Sequence, residues 1–424
     1  MATFITKEKA HEAGVLSVAI SDIHDELTLE RIRFKSGCRV VPEQHTEAEI
    51  RQMIRARSRK DSESILQSLA SQAGRESSWE SEPIINLVDS LLDTAIKRRA
   101  TDIHIEPTGK GLRIRFRIDG MLAEYRTLPA WIAEPVLVRL KLLANVDITE
   151  RRLPHDGSFL FESACGNVNI RLSTLPVQGG EQTIEKCVLR LLQTKDDGAT
   201  LDSLNFRPEI LQALRHAFEA PQGLFLVTGP TGSGKTTTLY AGLREIIARD
   251  INVTTIEDPV EYKLDGANQV QVNEKCGFTF ATALRSILRQ DPDVILVGEI
   301  RDQETAQIAL RAAQTGHLVL ATLHANSASA AAGRLADLGI PKSLLQEALL
   351  GVVAQRLVRT LHTGESADES ASGESPHAYR GRTAIIEFLK PDGSYACGTL
   401  REDAERLVRQ GITDTAEIAR VLGS

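Results

Sequence analysis

GLFLVTGPTGSGKTTTLYAGL, residues 223–243, decides the fold. A run of apolar residues leads into Gly229-Pro230-Thr231-Gly232-Ser233-Gly234-Lys235-Thr236, which fits G-x-x-x-x-G-K-T, and an amphipathic stretch begins near Lys235. Strand, glycine loop and helix in that order form a phosphate-binding corner. Glycines let the backbone close around phosphate oxygens. Successive amides point inward, and the helix N-terminus adds positive potential. The pattern predicts that Gly229 through Thr237 wrap a nucleotide, with Lys235 reaching the β- and γ-phosphates. Thr236 would ligate the Mg²⁺ that accompanies ATP.

The surrounding sequence repeats the same alternation. Short apolar segments at 252–258, 293–299 and 317–324 are separated by helical patterns, which predicts a mostly parallel sheet covered by helices. A P-loop needs carboxylates at neighbouring strand tips, one for the metal shell and one for the attacking water. Glu299 ends DVILVGE, and Glu257 and Asp258 follow TTI. The sequence leaves open which carboxylate acts as base. His317 and His324 flank the strand HLVLATLH, where a histidine at a strand end could sense the γ-phosphate. Arg285 and Arg289, four apart, fall on one helix face, and Arg301 lies two beyond Glu299.

Upstream, LRIRFRID (112–119) alternates strictly and predicts a half-buried strand with Arg113, Arg115 and Arg117 on one face. Ile84 to Ile96 has helical spacing, and NVNIRLSTLP (167–176) and CVLRLL (187–192) read as strands. In the first 80 residues, 27–42 reads as a strand pair. Thr46-x-x-Glu49 resembles a capping box opening a helix to about residue 57, and 60–78 reads as a linker. Near the end, 363–376 is acidic and Ser-rich and is expected to be mobile. Residues 382–389 then read as a strand, and 401–422 as short helices.

With 424 residues, net charge −7 and no C-x₂-C pair among five cysteines, the chain lacks the marks of a nucleic-acid binder, a zinc ribbon or a disulfide scaffold. It also lacks an apolar run of about 20 residues, so a cytoplasmic protein is expected, reaching a membrane only through partners.

LRSILRQDPDVILVGEIRDQETAQIA (284–309), TTIEDPVEYKLDGANQVQVN, TGHLVLATLHANSA and LLGVVAQRLVRTL together resemble the secretion and pilus assembly ATPases of the GspE/PilB class. RRATDIHIEPTGKGLRIRFRIDG and VNIRLSTLPVQGGEQ are similar to that family's second N-terminal domain. The resemblance implies an α/β protein: a RecA-like P-loop core over 198–360, preceded by a PAS-like α/β domain over 79–197. Residues 1–78 would be a partial docking segment and linker, and 361–424 a C-terminal region with the mobile loop 363–377. It implies ATP and Mg²⁺ as ligands and a homohexamer driving assembly of a type II secretion pseudopilus or type IV pilus. An inner-membrane platform protein and a cytoplasmic docking protein would be its partners. Glu257, Glu299 and His317 fall in the family's acidic and histidine boxes. Arg171 and Arg190 match arginines that reach phosphates, and Arg285, Arg289, Arg301 and Arg334 match positions at the site or at subunit contacts. LHTGESADESASGESPHAYRGRT carries no cysteine where larger members hold a four-cysteine zinc module, so no zinc site is expected. The rival readings are a retraction motor of the same superfamily and a nucleotide-regulated scaffold without turnover.

Overall fold

The computed structural model describes residues 81–163, 166–179, 182–193, 198–362 and 379–423, with short pieces between residues 3 and 45. The capping box at 46–49, the linker at 60–78 and the Ser-rich loop at 363–377 lie outside the described residues. The chain divides into two compact units. One is built from most of residues 1–190, the other from 191–424 with the short pieces 117–122 and 167–169.

In the first unit, strands β1 (Thr3–Ile5), β2 (Val15–Ile20) and β3 (Arg39–Gln44) form a small sheet in which β2 and β3 run parallel. The strand pair expected over 27–42 is therefore a correction. Residues 26, 29, 30, 32 and 33 are helical, and the strand begins only at Arg39, pairing with the earlier segment VLSVAI. Helix α1 (Glu82–Lys97) follows, with Pro83 in its first turn, where a missing N–H costs nothing. Its apolar stripe buries Ile84, Val88, Leu91, Leu92 and Ala95. Next come β4 (Ala100–Thr108), β5 (Gly111–Ile118), β6 (Met121–Leu128), α2 (Ala133–Leu143), β7 (His155–Ser163), β8 (Gly166–Gly179) and β9 (Gln182–Gln193). Their six strands stand in the order β6-β5-β4-β9-β8-β7. The alternation in β5 takes the expected form: Leu112, Ile114 and Phe116 are buried. Arg113 and Arg115, on the other face, both donate to Glu106 of β4, at 3.0 and 2.7 Å. Burial alone would raise the Glu106 carboxyl, but the two guanidinium bonds outweigh it and hold it below its usual range.

The second unit is a seven-stranded sheet flanked by helices. Its elements are α3 (Pro208–Phe218), β10 (Gly223–Thr228), α4 (Lys235–Ile247), β11 (Val253–Glu257), β12 (Ala267–Gln271), α5 (Phe280–Ile287), β13 (Val294–Val297), α6 (Gln303–Gln314), β14 (Leu318–Leu323), α7 (Ala328–Asp337), α8 (Lys342–Ala348), β15 (Leu349–Leu361), β16 (Tyr379–Leu389), α9 (Leu400–Arg409) and α10 (Thr415–Leu422). The strand order is β12-β11-β13-β14-β10-β15-β16, and only β16 runs antiparallel to its neighbour. Every residue of β10 is buried, because both faces are covered. Leu224 and Leu226 join the core under α5, α6 and α7, while Phe225 and Val227 join the core under α3 and α4. The segment read as a tail is not an appendage: β16 pairs with β15 and extends the same sheet, and α9 and α10 pack on this strand pair.

Candidate active site

In a parallel sheet every strand presents its C-terminal tip at one edge, and ligands bind in the crevice there. Thr228 of β10 pairs with Leu323 of β14, and the P-loop begins at the next residue. β14 stands between β10 and β13, so the tip of β13 lies two strand spacings, about 9–10 Å, from the P-loop strand. That gap is wide enough for a phosphate, a cation and a water.

The loop is held open from below by β15. Gly229 has φ +147°, and a Cβ there would meet the Gln355 carbonyl oxygen at 2.4 Å and Ser233 Oγ at 2.7 Å. Gly234, at φ +88°, would strike the Gln355 amide nitrogen at 2.8 Å. Gln355 itself is fixed by Thr238 of α4, whose hydroxyl donates to Oε1 at 2.8 Å. Thr231 and Gly232 are exposed at the crest. Ser233 is buried, and its hydroxyl has no hydrogen-bond partner among the described residues. Lys235 Nζ donates to the carbonyls of Gly229 at 2.8 Å and Pro230 at 3.1 Å. Burial pushes its ammonium below the ordinary lysine range, and Glu299 pulls it back up. An orphaned hydroxyl, a glycine cradle and a desolvated cation resting on neutral carbonyls fit an anionic ligand such as a triphosphate. Thr236, half-buried on the first turn of α4, is the residue suited to a Mg²⁺ bound with it.

Glu299 lies two residues past β13. Gly298 before it leaves no space for an aspartate: a Cβ would meet the Ile256 carbonyl oxygen at 2.9 Å. Glu299 is bound by Arg301, and His324 Nε2 stands 3.6 Å from its Oε2. Arg301 also stands 3.6 Å from the exposed Asp258. Pairing with Glu299 raises the Arg301 guanidinium above its usual range. Glu299, Arg301, Asp258 and His324 therefore form one cluster beside Lys235.

Glu257 has different surroundings. It is buried and accepts from Tyr240 of α4, from Thr255 at 2.6 Å and from Gln269 at 3.3 Å. Burial raises its pKa, and the three donors only partly offset this. In this conformation its carboxylate ties α4 to β11 and β12.

His317 is a correction. It precedes β14 at the opposite, N-terminal edge of the sheet: its carbonyl accepts from Gly223 at 3.1 Å, and its ring contacts the Ala312 carbonyl. Six strand residues, about 20 Å, separate it from the P-loop edge of its own chain. His324 lies one residue past β14, at the P-loop edge. Arg285 pairs with Glu304 of α6, and Arg289 lies beyond the end of α5 with its guanidinium on the Arg285 carbonyl. Arg334 is exposed on α7. Arg171 and Arg190 lie on β8 and β9 of the first unit, where Arg190 pairs with Asp102 at 3.1 Å. The sequence reading missed Gln355, Thr238 and Tyr240. Each acts by holding the loop or a carboxylate, and their partners are distant in sequence.

A family model described as "Type II/IV secretion system protein" matches residues 77–420. The chain belongs to the type II/IV secretion system protein family. Type II secretion system protein E of Klebsiella pneumoniae is 44% identical over 361 residues, covering 80% of this chain and 72% of that protein. The protein of the same name from Xanthomonas campestris pv. campestris is 36% identical over 446 aligned positions, covering 97% and 77%. Among solved structures, the pilus retraction motor PilT with bound ADP superposes with a TM-score of 0.57 at 28% identity, over 78% of this chain and 96% of that one. The mixed α/β fold with its parallel sheet is thus that of the secretion ATPases. Among the described residues no helix is long and apolar enough to cross a membrane.

Proposed function

We propose that this chain is the ATPase of a type II secretion system, hydrolysing Mg-ATP to drive pseudopilus assembly. The observation that carries this reading is the juxtaposition of an open P-loop with Glu299, Arg301 and His324 on neighbouring strand tips. It is supported by close similarity, over four fifths of the chain, to the protein that bears this name in Klebsiella pneumoniae. That similarity also favours assembly over retraction. Residues 79–197 are read as the PAS-like domain of the family, and the working form as a homohexamer at the cytoplasmic face of the inner membrane. There it would meet a platform protein and a docking protein.

In the mechanism, amides of residues 229–236 and Lys235 bind the phosphates. Glu299 orients the attacking water and accepts its proton, and Arg301 and His324 hold that carboxylate in place. Bound Mg²⁺, held through Thr236, would neutralise charge on the leaving phosphate oxygens. Arg171 and Arg190 are proposed to contact phosphate, as the sequence resemblance implies. Asp258 is proposed to position Arg301. Glu257 is proposed as a second carboxylate that reaches the site only if the Tyr240–Thr255–Gln269 network opens.

The test is genetic and enzymatic together. In a strain deleted for this gene, the wild-type chain should restore export and the Lys235→Ala variant should not. Purified protein should show an ATPase rate per subunit that rises with protein concentration as rings assemble. Export restored by Lys235→Ala, or no ATPase at any concentration, would refute the proposal.

A further inference from the structure

Arg356 stands beside the phosphate loop. β10 is flanked by β14 and β15, and Thr228, its last residue, pairs with Leu323 on one side and Ala354 on the other. Arg356 is two residues beyond Ala354, so its side chain leaves the same face of β15 at the site edge. Its guanidinium donates to the carbonyl of Asn326 at 3.0 Å, three residues beyond the tip of β14. The side chain therefore spans the end of β10 where the loop starts. Asn326 belongs to the segment that carries His324, and that segment is tied to β10 because Thr228 Oγ1 donates to Ala325 O at 3.1 Å.

The charge of Arg356 is poorly balanced. Burial lowers its pKa, with Glu387 opposing through space. Glu387 is held by the Ala328 amide on Oε1 at 2.7 Å and the Leu400 amide on Oε2 at 3.0 Å, and Arg356 bonds to the Asn326 carbonyl instead. The positive charge of Arg356 in turn adds to the effects that lower Lys235, so the two cations disfavour one another until an anion is bound. A partly buried cation resting on a neutral carbonyl gains most from an anionic acceptor. A guanidinium fork matches phosphate better than an ammonium does.

We propose that Arg356 is a second cationic contact for the terminal phosphate of the bound nucleotide, and that it lets the site tell a triphosphate from a diphosphate. Arg356 exchanges the Asn326 carbonyl for a phosphate oxygen, which frees the segment bearing His324 beside Glu299. The inference rests on the P-loop reading above, and the experiment separates the two.

Affinities for ADP and for a non-hydrolysable ATP analogue are measured with Mg²⁺ on full-length wild type, Arg356→Gln, Arg356→Lys and Lys235→Ala, alongside thermal melts. Arg356→Gln is expected to weaken the ATP analogue about 10- to 100-fold, the range for losing a hydrogen bond to a charged group, while ADP changes less than about threefold. Arg356→Lys, which keeps the charge but loses the fork, is expected to show a smaller loss of the same selectivity. If either variant weakens both nucleotides by one factor, or weakens neither, Arg356 is structural and the proposal is overturned. If Arg356→Gln does not fold, the Lys variant alone decides: full retention of wild-type discrimination overturns the proposal. Undiminished binding by Lys235→Ala would instead overturn the P-loop reading itself.

Discussion

Gly229→Ala places a single methyl where the structure has no volume for it. The backbone at Gly229 has φ +147°, a region that glycine alone adopts readily, and forcing alanine there costs about 1–3 kcal/mol. The added Cβ would lie 2.4 Å from the Gln355 carbonyl oxygen and 2.7 Å from Ser233 Oγ. The first of these is backbone on β15, held in register with β10 through Thr228↔Ala354, so it cannot swing aside as a side chain could. Overpacking of this kind adds about 1–3 kcal/mol. The loop, exposed at Thr231 and Gly232, is the part free to move, and it should lift from β15. A shift of about 1 Å in phosphate-binding amides is enough to cost about a hundredfold in rate. ATP affinity by equilibrium fluorescence and steady-state hydrolysis are the assays. The variant should bind ATP at least about tenfold more weakly, corresponding to about 1.4 kcal/mol, and hydrolyse it about a hundredfold more slowly. Hydrolysis within threefold of wild type at unchanged affinity would refute the claim that β15 sets the shape of the loop.

Glu299→Gln should leave Mg-ATP bound and uncleaved, since it keeps the side-chain shape but removes the proton acceptor. The loss in kcat should be about 10²–10⁴-fold, and undiminished phosphate release would remove Glu299 from the mechanism. Tyr240→Phe keeps the ring packed on Tyr262 but deletes the hydroxyl that donates to Glu257. Losing a bond to a buried carboxylate should cost about 1.5–3 kcal/mol, read as a fall of about 3–12 °C in the melt, and a change below about 1 °C would contradict the network. Glu417 is buried, which alone would raise its pKa, but hydrogen bonds from Arg420, Arg359 and the Arg359 amide hold it at about 2. The folded value is depressed, so its contribution to stability is present above the ordinary carboxylate value and lost as pH falls from about 4.5 toward 2. Glu417→Gln should flatten the acid limb of a melting-temperature profile in that window, and an identical limb would exclude the residue.

The sequence carried the P-loop strand, its helix and the alternation of β5, because each signal is local: a glycine spacing, a 3.6-residue period, a two-residue period. The acidic strand tips were legible for the same reason. Strand direction was the unused clue at His317 and His324. In a parallel sheet only the residue after the strand can share the P-loop edge, which places His324 there and His317 at the far edge. β15 was not legible as the neighbour of β10, because LLGVVAQRLVRTL follows a helix without a turn signal and pairs with a strand more than a hundred residues earlier. Gln355 and Arg356 gain their roles only from that pairing. The saturation of Glu257 was hidden likewise. Tyr240, Thr255 and Gln269 come from α4, β11 and β12 and converge only when the sheet forms.

Calorimetric titration of Mg-ATP into the folded full-length chain, with Lys235→Ala as its control, is the most direct test. A desolvated lysine over a glycine cradle should give saturable binding approaching one nucleotide per chain, lost in the alanine variant at an unchanged melting temperature. Absence of any heat from well-folded wild type, or the same isotherm in both proteins, would contradict the account.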